Sequence, residues 1–267
     1  MRVRRVLIGV AAAMAVLIVA AVGVDFGASV YAEYQLSRAV RRAADLGSDP
    51  FVAILGFPFI PQAARQHYDE LEIKASAVDQ PMVGKAMLEA TLHSVGLADA
   101  SWLVRPHAKI LVGMLESRII IDSVHLGRYL GIRDLMVEAP PDETNDATGG
   151  TTESGISGSR GLVFTGTPKT AGFDKRVSVS VDLSIAGADA TTLVFTPTGI
   201  LTGPDTANQR VPDDQRAAVL TAFRGSLPQQ KLPFGVVPTS QGARGSDVII
   251  EGITESVTIT LEEFKQS

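Results

Sequence analysis

The chain has 267 residues, no cysteine and a formal net charge of −5, which becomes −8 for the remainder once Arg2, Arg4 and Arg5 are set aside. The lack of cysteine excludes disulfides, thiolate metal sites, cysteine nucleophiles and lipoprotein-type acylation, and an acidic body argues against nucleic acid, which is bound through basic patches. The length suits one large domain or two small ones, with a core that needs no covalent staple.

Behind the three arginines, Val6–Val24 is an uncharged run of nineteen residues. A basic flank stays on the cytoplasmic side, so the rest of the chain is exported. The run exceeds the roughly 7–15 residues of a cleaved signal core and just reaches a membrane span, which favours a retained anchor over residues 1–32. The alternative is a signal peptide cut after Ala32, where Val30 and Ala32 are small at the critical positions. Glu33–Leu46 continues as a helix, with Tyr34, Leu36, Ala39, Val40 and Ala43 mostly on one side, Arg38, Arg41 and Arg42 on the other, and Gly47 as the stop. Those arginines suit anionic headgroups at the outer leaflet, although a solvated face is the commoner use of such a charge cluster.

Asp49–Pro61 reads DPFVAILGFPFIP. Pro58 cannot donate to a ladder and constrains the residue before it, so the pattern predicts a strand over Phe51–Leu55 followed by a stiff turn carrying Phe57, Phe59 and Ile60. A second such motif is Leu232-Pro233-Phe234-Gly235. Aromatic residues on proline-stiffened turns suit the mouth of an apolar cavity, while plugging the end of a solid core is the commoner role.

Tyr68–Val78 alternates, with Leu71, Ile73, Ala75 and Ala77 facing one way and Glu70, Glu72, Lys74 and Ser76 the other, the signature of a half-buried antiparallel strand. Lys85–Val95 repeats this with Leu88, Ala90 and Leu92 inside, and Lys109–Leu115 and Arg118–Ile121 read as two further strands. Asp122 or Ser123 then caps a short helix ending at Gly131, with Val124, Leu126, Tyr129 and Leu130 as its apolar side. Ala139–Arg160, rich in Gly, Ser, Thr and acids, predicts a mobile loop that divides residues 33–139 from residues 161–267. In the second half, Arg176–Ala186 alternates most clearly; Thr191–Phe195, Asp247–Glu251 and Ser256–Leu261 follow the same rule, and Asp213 is expected to cap a helix running to Gly225 that presents Val219, Leu220 and Phe223. The expected fold is α+β and mostly β, with long curved antiparallel sheets able to wrap a helix or an apolar cavity, plus the N-terminal membrane or signal helix.

Catalytic motifs are missing. His67, His93, His107 and His125 form no metal-ligand spacing, so no metal and no cofactor are expected. Gly155–Ser159 lacks the last glycine of a nucleophile elbow, and Gly84-Lys85 is followed by Ala86 in place of the hydroxyl residue of a P-loop. Glu70/Glu72 and Glu262/Glu263 fit an exposed strand face or chain end better than an acid/base pair.

Taken together, Asp25-Phe26-Gly27-Ala28, Tyr31-Ala32-Glu33-Tyr34, Gly56-Phe57-Pro58-Phe59, the Tyr68–Val78 strand and Leu232-Pro233-Phe234-Gly235 resemble the actinobacterial cell-envelope phospholipid-binding family typified by lipomannan elongation factor A. The resemblance runs from about Asp25 to Leu261, on short apolar motifs. It implies a non-enzymatic protein on the periplasmic face of the cytoplasmic membrane, with a curved sheet around a helix similar to tubular lipid-binding domains. It implies too that phospholipids, phosphatidylinositol types among them, are its partners, in support of mannose-bearing glycolipid maturation. The insertion Ala139–Arg160 is longer than that family leads one to expect, and Pro238 falls where a strand is expected. The candidates for an acyl-contacting surface are Leu55, Phe57, Phe59, Ile60, Leu92, Phe223 and Phe234, each of which could instead be solid core. Arg65, His67 and Lys74 are candidates for a phosphate headgroup, with solvated charge as the plainer role. Two rivals stay open: a tethered scaffold for a membrane glycosyltransferase, and a hydrolase of envelope glycans or lipids built on dispersed acids.

Overall fold

A computed structural model describes residues 2–98, 108–139 and 161–265. The predicted loop at 140–160, the Gly155–Ser159 motif and His107 lie outside the described residues. The elements in chain order are α1 (Arg2–Ala43), β1 (Phe51–Leu55), α2 (Phe59–Arg65), β2 (His67–Gln80), β3 (Gly84–Leu97), β4 (Ile110–Asp122), α3 (Ser123–Leu130), β5 (Met136–Glu138), β6 (Gly161–Gly166), β7 (Val177–Ala186), β8 (Thr192–Leu201), α4 (Asp213–Ala222), β9 (Gly225–Leu227), β10 (Ser240–Arg244) and β11 (Asp247–Ile259). With 42% strand, two antiparallel sheets and a long apolar N-terminal helix, the fold is α+β and mostly sheet, as the alternation predicts. One sheet has the order β1-β2-β3-β4-β11-β10 and the other β5-β6-β7-β8-β9.

The chain forms two compact units. The first comprises Met1–Ile73, Thr91–Leu115 and Glu255–Glu262, and the second Lys74–Ala90, Glu116–Thr254 and Glu263–Ser267. Strands β2, β3, β4 and β11 thus each contribute a segment to both. Three of these strands carry a left-handed residue within a few positions of the changeover: Ala77, Ser94 and Ser256, with φ of 55°, 53° and 52°. An extra left-handed residue breaks strict alternation. It corrects the expectation for Ala77, which is exposed while Val78 takes the buried place. In the first unit Gly113 of β4 lies opposite Ser94, where an added Cβ would stand 2.9 Å from the Ser94 side chain.

Several boundaries differ from the sequence pattern. The two strands expected at Lys109–Leu115 and Arg118–Ile121 are one, β4, and those at Asp247–Glu251 and Ser256–Leu261 are likewise one, β11. Strand β8 continues past Phe195 through Pro197, tolerated because the pairing with β7 shifts register between Ser180 and Val181. Asp122 is the cap of α3, accepting 2.8 Å from the His125 N–H, and Gly131 closes the helix in the left-handed conformation. Asp213 does not cap α4: Pro212 holds that place and Asp213 is the first helical residue, where its charge still favours the helix N-terminus. Pro238 falls before β10, which starts at Ser240.

In the second unit, Val177, Val179, Val181 and Leu183 of β7 point into the core as their spacing predicts, joined by the Phe164–Phe195 ring pair at 5.8 Å. Helix α4 covers this sheet with Val219 and, at its C-cap, Phe223, both fully buried. Across the other sheet, still within this unit, runs a belt of charge. Arg118 of β4 binds Glu251 of β11, reaches Glu116 at 2.5 Å and lies 4.0 Å from Glu89 of β3, to which Arg244 of β10 also extends at 4.0 Å. Glu251 and Glu89 are almost wholly buried, at 2% and 6% exposure. Carboxylates so placed depend on their cation, because a buried charge without a partner is strongly unfavourable. Arg118→Met is therefore expected to lower stability by about 3–5 kcal/mol, read from the midpoint of denaturant unfolding.

Candidate functional site

The first unit is organised by contacts between α1 and the segment that turns back along it. Successive side chains of α1 meet successively earlier residues of that segment: Asp25 meets Ile60 and Phe59, Glu33 meets Ile54, Ser37 meets Pro50 and Arg41 meets Asp49. Strand β1 is an edge strand, and two of these polar groups take backbone partners in it or just before it. The Ile54 N–H donates 2.9 Å to Glu33, and the Ser37 hydroxyl donates 2.6 Å to the Pro50 carbonyl. Ala32, Leu36, Ala39 and Val40 supply the buried apolar face between them.

Helix α2 replaces the rigid turn expected at Phe57–Ile60. A cis Phe57–Pro58 peptide precedes it, and Pro58 has no side chain with which to cap it. The first amide groups of any helix lack intrahelical partners. Here the Phe59 and Ile60 N–H groups donate to the two oxygens of Asp25, at 2.8 and 2.7 Å, and that carboxylate is only 6% exposed. One residue along α1, Phe26 stacks on Phe57 with ring centroids 5.9 Å apart. Gln62, buried, accepts from the Asp69 N–H at 2.9 Å, and Gly56 holds φ of 100° with Asp69 and Gln62 so close that a Cβ would stand 2.8 Å from each.

The candidate residues divide by environment. Leu55, Phe57 and Ile60 of the first unit are exposed large apolar side chains, whereas Phe59 and Leu92 are buried, Phe59 against Tyr68 at 6.1 Å. Burial there pushes the Tyr68 hydroxyl above its ordinary range. Phe223 and Phe234 are buried in the second unit. The Leu232–Gly235 turn is tight: Phe234 takes a left-handed φ of 58° and packs edge-on against Phe264 at 5.5 Å. That turn borders an open cleft of about 200 Å³ with Asp189, Thr191 and Lys231 on its wall. The Thr191 hydroxyl, 2.9 Å away, holds the Asp189 carboxyl below the usual range. Arg65 and His67 are exposed beside the end of α2, and Lys74 is half-buried on β2 in the second unit. Among the described residues no His, Asp and Glu group has the arrangement to hold a metal ion.

Asp25, Phe26, Gln62 and Tyr68 were not singled out as site residues by sequence reasoning. Asp25 carried a usable signal: it is the first charge after an uncharged run of nineteen residues, placed beside an aromatic residue.

A family model described as LmeA-like phospholipid-binding matches residues 23–253, beginning just before Asp25 and taking in both aromatic-proline motifs. The chain belongs to the LmeA-like phospholipid-binding family. Phospholipid binding is thus the activity that describes the family to which these motifs belong. No match to the chain was found among curated proteins or among solved structures. In this LmeA-like chain the match includes the last part of the apolar stretch of α1, a helix long and apolar enough to cross a membrane.

Replacing Asp25 by Ala deprives the Phe59 and Ile60 amides of their acceptors. Hydrogen bonds to a charged group contribute about 1.5–3 kcal/mol, so Asp25→Ala is expected to destabilise the first unit by that order. The check is faster hydrogen exchange at those two amides in the full chain held in detergent micelles.

Proposed function

We propose that the protein is exported and held by α1 at the outer face of the cytoplasmic membrane, where it binds a phospholipid of phosphatidylinositol type and supports maturation of mannose-bearing glycolipids. The observation that carries this reading is the family match over residues 23–253. Retention of the anchor is supported by Asp25 and Phe26, which lie upstream of Ala32 yet hold α2 and Phe57; a cut after Ala32 would discard both. In this reading the acyl chains lie in an apolar cavity. Leu55, Phe57 and Ile60 of the first unit are the accessible apolar candidates, Phe59 and Leu92 of the same unit are buried, and Phe223 and Phe234 are buried in the second unit. The headgroup meets cations near the rim, with Arg65, His67 and Lys74 as candidates.

The second reading is a tethered scaffold for a membrane glycosyltransferase. Complete burial of Leu92 and Phe223 favours it, since a packed core carries no cargo.

Two measurements separate these readings. Native mass spectrometry of the full chain extracted from the envelope in mild detergent is expected to show a bound phospholipid, and a lipid-free protein would overturn the carrier reading. In a solid core, Leu92→Trp costs about 1–3 kcal/mol through overpacking; beside a lipid cavity the same change is expected to leave the melting temperature nearly unchanged while displacing the lipid.

A further inference from the structure

We infer that Phe26, Phe57 and Ile60 form a collar that inserts into the outer leaflet of the bilayer that α1 crosses, fixing the height of the first unit above the membrane. The inference rests on the reading of α1 as a retained anchor, and it goes beyond lipid binding as such by assigning these side chains to the bulk leaflet.

The uncharged run Val6–Val24 has nineteen residues. At about 1.5 Å per residue it spans nearly the ~30 Å of a hydrocarbon core. With Arg4 and Arg5 at the inner boundary, Asp25 falls at the outer one. Asp25 is not free to move away from that level, because both of its oxygens hold the start of α2. Whatever α2 carries at its N-terminus is therefore at the leaflet surface. It carries Ile60, 43% exposed, and is preceded by Phe57, 63% exposed and stacked on Phe26, itself 59% exposed. The outward-facing side of α1 runs from the apolar span into Phe26 with no charge on that side, since Asp25 is turned inward. Four residues further on each time, the same row bears Val30, then Tyr34, then Arg38, whose guanidinium lies 5.6 Å over the Tyr34 ring. An apolar span followed by aromatics and then cations is the order in which a membrane–water boundary is crossed. Exposed aromatic and aliphatic side chains beside such a span have one solvent that matches them, the acyl and headgroup boundary of the same leaflet.

The chain lacks cysteine, so single labels can be placed at will. Full-length Phe57→Cys, or Ile60→Cys should the first variant not fold, is labelled with an environment-sensitive nitrobenzoxadiazole dye. It is reconstituted into phosphatidylcholine–phosphatidylinositol vesicles containing a phosphatidylcholine spin-labelled near the head of its acyl chain. Ser48→Cys, exposed just beyond the C-terminal end of α1 in the same unit, serves as the control. The expected result is a blue-shifted emission at position 57 or 60 that loses most of its intensity to the spin label, with neither effect at 48. The intensity should return when the vesicles are dissolved in detergent free of spin label. Water-like, unquenched emission at 57 and 60 would overturn the collar, and so would quenching that persists in detergent, which would mean that the dye touches a retained lipid and not the leaflet. Native mass spectrometry of the same labelled proteins reports bound lipid separately, so the collar can fail while lipid binding stands, or the reverse.

Discussion

Two hydrogen bonds from the opening peptide groups of α2 to one buried carboxylate, that of Asp25, join the long N-terminal helix to the folded chain that follows it. A helix of seven residues is too short to be stable by itself, and its cap position is occupied by a proline, which has no side-chain acceptor. Asp25 supplies what the local sequence lacks, and its charge suits the partial positive charge at a helix start. The same carboxylate would be costly inside hydrocarbon, so it works only where the apolar stretch of α1 ends. One residue thus sets the local fold of α2 and ties it to the end of the apolar stretch of α1.

The remaining contacts along α1 extend that logic. An edge strand exposes unpaired backbone, a standing invitation to another chain. Strand β1 is such an edge, and Glu33 and Ser37 of α1 occupy its Ile54 N–H and the Pro50 carbonyl just before it. The second half of α1 is therefore a structural element of the first unit as much as a continuation of the apolar stretch. Its apolar residues Leu36, Ala39 and Val40 are buried as an ordinary amphipathic helix would bury them.

Much of this architecture is legible from residue patterns alone. Period-two alternation located β2, β3 and β7, and Gly131 and Asp122 marked the limits of α3. The misreadings share a physical cause. Glu116-Ser117-Arg118 looks like a break between strands because its charges interrupt an apolar run, yet those charges pair with one another and with Glu251 inside the sheet. Ala77 looks inward by alternation because nothing local announces a left-handed backbone at a small residue. Helix α2 was hidden because its start depends on Asp25, thirty-odd positions upstream, a contact that no local pattern encodes. The aromatic motif itself was visible, whereas the division of its side chains into exposed Phe57 and buried Phe59 depends on a helix that the sequence does not announce.

The charged belt of the second unit has one more implication. Moving a strand by a single position turns every one of its side chains to the opposite face. With Glu89, Arg118, Arg244 and Glu251 placed on four neighbouring strands, any such misthreading strands an ion among hydrocarbon side chains. A chain without cysteine has no covalent bond with which to hold its strands in order, and the belt serves instead as an error check, admitting one alignment of β3, β4, β11 and β10 and penalising its neighbours.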